Sequence, residues 1–101
     1  MAEVLVKGRF KPPVRREQVR RDWERRGFSC RDFIDPPGRE WNGFRHRTNE
    51  LVTVLEGRLR LIVGGQEAIA EAGDEVFIPR GVLHSVHNVH GGATRWLFGY
   101  D

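Results

Sequence analysis

From Phe28 to the C-terminus, apolar residues come in short bursts of four to seven positions, rich in Val, Ile, Leu and Phe. Between them lie clusters of turn-forming residues: "DPPG" at 35–38, "EGR" at 56–58, "VGGQ" at 63–66, "EAGDE" at 71–75, "PRG" at 79–81 and "HGG" at 90–92. Gly and Pro supply the backbone angles that turns need, and Asp and Asn bond back to their own chain there. Short strands at regular spacing, with almost no helical period between them, predict an all-β sandwich or barrel. Period-two alternation then sorts the side chains into faces. Phe44 and His46 share one, Val52 and Val54 turn inward after Glu50, and His84, Val86 and Asn88 share another, leaving Ser85 and His87 opposite. Glu56-Gly57 is expected to close a hairpin.

The first 26 residues follow a different pattern. "EVLVKGRF" over residues 3–10 reads as a short strand, Pro12-Pro13 ends it, and "VRREQVRRDWERRGF" over 14–28 reads as a helix. Val19 and Trp23 form its i, i+4 apolar pair, and Gly27 is its expected stop. One such pair is too narrow a stripe for an isolated helix, so this helix should dock on the rest of the chain. An N-terminal strand at a sheet edge could also pair with a second copy, which makes a homodimer the expected state.

The 101 residues suffice for one domain, 1–101, with residues 1–26 forming the strand and helix and 27–101 the β-barrel. The single cysteine, Cys30, excludes an internal disulfide framework and points to the cytoplasm. No apolar run is long enough for a membrane span or signal peptide. The net charge of +3 is uneven, being +5 over residues 1–26 and −2 over the remainder. The excess lies in three pairs, Arg15-Arg16, Arg20-Arg21 and Arg25-Arg26. On a helix, pairs five residues apart advance by about 500° and spread around the cylinder. With Glu17, Asp22 and Glu24 at helical spacing from them, they read as a solvated surface rather than a nucleic-acid footprint.

Two spaced patterns carry the chemistry. The first runs Gly38, five residues, Phe44, one, His46, three, Glu50, six, Gly57. The second runs Gly73, five residues, Pro79, one, Gly81, two, His84, three, Asn88, with 15 residues between the two patterns. Together they resemble the paired signature of the cupin superfamily, G-x5-H-x-H-x3-E-x6-G and G-x5-P-x-G-x2-H-x3-N. The second is complete; in the first, Phe44 stands where the family has a histidine. The resemblance implies a small cupin-type β-barrel, a double-stranded β-helix or jelly roll, with the N-terminal strand and helix packed outside.

It also implies a metal held by His46, Glu50 and His84 inside the barrel. On a straight strand His46 and Glu50 would lie about 13 Å apart, so the chain must bend at Thr48-Asn49 to bring them together. Two imidazoles and a carboxylate suit non-haem iron, and zinc with three protein ligands and a water is equally sound; manganese, nickel and copper also fit such donors. Trp41, Phe44 and Phe77 are the candidate substrate-contacting aromatics. The implied function is a metal-binding protein that acts on, or binds, a small organic molecule, with metal-dependent isomerases and oxygenases among the family's enzymes. The alternative is a metal-free binding or sensing module with an aromatic-lined pocket. His87 and His90 read as surface residues, Asn88 as a loop tie and Cys30 as a buried apolar residue.

Overall fold

The fold is described for residues 4–101 of a computed structural model. In chain order its elements are β1 (Leu5–Val6), α1 (Arg16–Arg25), β2 (Arg31–Asp35), β3 (Glu40–Phe44) and β4 (Glu50–Glu56). There follow β5 (Arg58–Val63), β6 (Gln66–Glu71), β7 (Glu75–Ile78), β8 (His84–Asn88) and β9 (Thr94–Tyr100). They build two antiparallel sheets, one ordered β1-β7-β4-β9-β2 and the other β3-β8-β5-β6. The expected all-β jelly roll is therefore the observed architecture.

Alternation explains the core between the sheets. Val52 and Val54 of β4, Val76 and Ile78 of β7, Leu59, Leu61 and Val63 of β5, and Val86 of β8 pack together there. Each large apolar side chain so buried contributes about 1.5–3 kcal/mol. The β5–β6 connection is a true hairpin across Gly64-Gly65, with Val63 paired to Gln66. The expected hairpin at Glu56-Gly57 is not formed, because β4 and β5 belong to different sheets. Gly57 instead makes a corner between sheets. Its φ is +106°, and a Cβ there would lie 2.9 Å from the Thr94 Cα, so only glycine fits.

The N-terminal strand is shorter than residues 3–10. Glu3 lies outside the described residues, the ladder with β7 pairs Leu5 and Val6, and the Phe77 N–H reaches the Val4 carbonyl at 2.8 Å. Just beyond, the Asp74 carboxylate accepts bonds from the Gly8 N–H at 2.8 Å and from the Lys7 ammonium, which turns the chain out of the sheet. Phe10 then returns to the core, its N–H bonded to the Gly73 carbonyl at 2.9 Å.

Helix α1 covers the outer face of the five-stranded sheet. Val19 and Trp23 are fully buried against Leu51 and Leu97. At its end, Gly27 N–H bonds to Glu24 O at 3.0 Å and Phe28 N–H to Trp23 O at 2.8 Å, a Schellman stop at the expected glycine. The Trp23 indole N–H donates to Glu75 at 2.9 Å, and the Arg26 guanidinium forks onto both oxygens of that carboxylate at 2.8 and 2.9 Å. This buried carboxylate is thus fully paired, as burial demands. Arg9, Arg16, Arg20 and Arg25 likewise engage Asp22, Asp32, Glu17 or Glu24. Among the described residues, no helix is long and apolar enough to cross a membrane.

Candidate metal centre

Strand β3 ends at Phe44, and Arg45 to Asn49 form the bend that the straight-strand distance requires. His46 sits in this connection rather than in a strand. Its carbonyl accepts the Gly81 N–H at 2.8 Å, which seats it against the turn leading into β8. Glu50 opens β4 and His84 opens β8. Two facing sheets and one connecting loop thereby converge, and one donor atom from each of His46, Glu50 and His84 lies within 4.8 Å of the others.

The geometry around Glu50 is specific. Glu50 is 4% exposed, and its Oε1 has no hydrogen-bond partner. Nε2 of His46 and Nε2 of His84 each lie 3.5 Å from this oxygen. Arg45, Arg47 and Arg58, cations close to Glu50 in sequence, form no salt bridge with it. Burial pushes the Glu50 carboxyl up to about 7. The His84 imidazole is pushed below its ordinary value, chiefly by burial, and is therefore neutral at pH 7. Its Nδ1 lies 3.1 Å from the Val82 carbonyl. A carbonyl only accepts, so Nδ1 carries the proton and Nε2 keeps its lone pair. A deprotonated Glu50 would thus face a nitrogen lone pair 3.5 Å away, an arrangement that a shared cation relieves. The donor set and its orphaned oxygen fit a divalent transition metal.

A cavity of about 190 Å3 opens beside these three residues. Its walls are aromatic: Phe33, Trp41, Phe44, Trp96, Phe98 and Tyr100. Phe44 stacks near His46 with ring centroids 6.3 Å apart and planes at 24°, and it lies 6.3 Å from His84. Tyr100 meets His46 edge-on at 5.0 Å. At the far end, the fully buried Asp35 accepts both indole N–H groups, from Trp41 at 3.0 Å and Trp96 at 2.9 Å.

Of the candidate substrate-contacting aromatics, Trp41 and Phe44 line this cavity and Phe77 does not. Val76 and Ile78 face the core, so alternation turns Phe77 to the outer face, where it is 38% exposed opposite Leu51. Trp96, Phe98 and Tyr100 line the cavity in its place, and their shared parity along β9 was the available signal. Asn88 ties loops. Its amide N–H groups reach the carbonyls of Asp35, Pro36 and Gly92, and its oxygen accepts from His90 N–H and Thr94 Oγ1. His87 is half-buried on the outer face, 2.6 Å from Asn42 Oδ1.

Comparison with known proteins fits this geometry. A family model described as the cupin domain matches residues 32–100. No curated protein matches the chain. Among solved structures, AerE from Microcystis aeruginosa superposes with a TM-score of 0.68 at 19% identity, over 72% of this chain and 35% of that one. A cupin 2 domain-containing protein from Halorhodospira halophila gives 0.68 at 23% identity, over 73% of this chain and 51% of that one. An oxalate oxidase in complex with the substrate analogue glycolate gives 0.67 at 24% identity, over 73% and 41%. The chain thus spans about a third of AerE and half of the Halorhodospira protein, and at these identities the likeness is one of fold. The family model, covering most of the two sheets, identifies the chain as a member of the cupin family.

Proposed function

We propose that the chain, as one domain, holds a divalent transition metal through His46, Glu50 and His84 and binds a small organic molecule beside it. The observation that carries this reading is the buried Glu50 Oε1, without a hydrogen-bond partner and 3.5 Å from each of two imidazole nitrogens. Bound there, zinc, iron, manganese, nickel or copper would supply a Lewis acid for a carbonyl or carboxylate oxygen. The chain's own contributions follow from its residues. Glu50 brings the negative charge, and His84 is oriented by its Nδ1–H bond to the Val82 carbonyl. The aromatic walls lower the local polarity, which strengthens electrostatic contacts inside. Isomerase or oxygenase activity is the enzymatic form of this reading.

A metal-free binding module is the second reading, favoured by one observation: Phe44 takes the place of a fourth ligand and adds a ring to an already aromatic wall. Elemental analysis of untagged protein separates the two. The metal reading expects near-stoichiometric transition metal that is lost in both His84→Ala and Glu50→Gln. Metal retained in both variants would refute the ligand assignment. A homodimer and a cytoplasmic setting belong to the same proposal, since β1 is the outermost strand of its sheet and Cys30 is a free thiol. Light scattering at several concentrations tests the dimer.

A further inference from the structure

His46 faces two spaces. Inward it lines the aromatic cavity; outward it lines an open depression of about 420 Å3 shared with Arg45, Arg47, Arg80 and Gly81. The depression is built by two loops stapled together. Gly81 N–H bonds to the His46 carbonyl at 2.8 Å, and Arg80 N–H bonds to Asn49 Oδ1 at 2.8 Å. Arg45, Arg47 and Arg80 thus line the outer depression, and His46 is the residue it shares with the aromatic cavity.

These arginines resemble Arg15 and Arg21 of the helix region, which have no salt bridge among the described residues, and differ from five others there. Arg9, Arg16, Arg20, Arg25 and Arg26 are each taken up by a carboxylate within ion-pair distance. Among the described residues, none of Arg45, Arg47 and Arg80 has such a partner. Asp101 senses Arg80 but accepts hydrogen bonds from Asn49 N–H and Nδ2 at 2.9 and 2.8 Å. Unpaired guanidinium groups at a cavity mouth attract and orient oxyanions, because their planar N–H forks match carboxylate and phosphate geometry. Inside, the volume of about 190 Å3 compares with the roughly 150 Å3 that admits a single benzene ring in an apolar cavity.

Resting on the binding reading above, we infer that the ligand is a small organic acid: a ring-sized apolar body inside the aromatic walls, with its oxyanion held at the mouth by Arg45, Arg47 and Arg80. The acid group is recognised by the protein itself, independently of any metal.

The test uses the full chain, stripped of metal, with binding followed by tryptophan fluorescence and calorimetry. Phenylacetate, phenyl phosphate and the neutral phenylacetamide serve as probes. Phenylacetate or phenyl phosphate should bind at least about tenfold more tightly than the amide, a preference that falls as salt screens the rim. The triple variant Arg45→Gln, Arg47→Gln, Arg80→Gln should lose the preference while still binding the amide, which also reports that the cavity is intact. Tighter binding of the phosphate than of the carboxylate supports the inference and identifies the anion class. Equal binding of acid and amide overturns it, as does a preference that survives in the triple variant. A preference that arises only after zinc is added also overturns it, by assigning the anion to the metal. Zinc failing to bind while the acid preference persists would instead refute the metal centre and leave this inference standing.

Discussion

Phe44 stands directly across from His84 in the β3–β8 register, with its ring centroid 6.3 Å from the imidazole. In the cupin pattern that position is a histidine. Phe44→His therefore offers a nitrogen to the same centre as His46, Glu50 and His84. Zinc affinity, measured by chelator competition, should rise at least about tenfold, the scale of one added ligand contact. An unchanged affinity would mean that the ring does not occupy the missing ligand's place.

Glu50 should leave a signature in the stability of the metal-free protein. An unfolded glutamate titrates near 4.5, whereas burial holds Glu50 near 7. Between those values the folded chain retains a proton that the unfolded chain releases, so the contribution is full below pH 4.5 and lost as pH rises through 7. The loss amounts to about 3 kcal/mol. His84, pushed below 6.5, acts with the opposite sign: its contribution is lost as pH falls below 6.5. Comparison with Glu50→Gln isolates the first effect. The glutamine variant should match the wild type near pH 4.5 and exceed it at pH 8 in urea denaturation; parallel pH profiles would contradict this.

Metal binding should weaken as soon as the pH falls below 7. Glu50 must lose its proton to act as a ligand, and its carboxyl titrates near 7. Zinc affinity is expected to fall by up to about tenfold per pH unit below 7, since each metal bound displaces a proton. A flat affinity down to pH 6 would remove Glu50 from the ligand set.

Gly73 is a point of close chain approach. Its φ is +90°, and an added Cβ would lie 2.0 Å from the Phe10 carbonyl oxygen. The contact is backbone on backbone, held by Phe10 N–H to Gly73 O at 2.9 Å and Gly73 N–H to Val54 O at 3.0 Å. Gly73→Ala should destabilise the chain by about 3 kcal/mol or more, read as a fall in Tm. A change within about 0.5 kcal/mol would indicate that this loop yields freely.

How far the fold and centre could be read in advance follows from which relations are local. Alternation is local, so Val52, Val54, His84, Val86 and Asn88 take the expected faces. The bend at Thr48-Asn49 is local too, and it brings His46 to Glu50. Sheet membership is not: nothing within "LEGRL" states that β4 and β5 part company at Gly57. Phe77 lies outside the cavity because its parity is set by Val76 and Ile78 facing the core, a relation fixed by the packing of the sheets. Tyr100 escaped notice because its position beside His46 depends on β9 pairing with β4, where it meets Glu50. The pairing of Glu75 with Trp23 and Arg26 joins residues about fifty positions apart and has no local trace.

Asp35 grips the indoles of Trp41 and Trp96 with its two oxygens, and its own backbone carbonyl is in turn bound by Asn88. Those two rings therefore cannot slide independently, and the breadth of the chamber is set before any guest arrives. A guest too wide for it meets a braced wall instead of a compliant one. On the binding reading proposed above, selection by girth would follow from this brace, and relaxing it would require loosening one acid rather than trimming either ring.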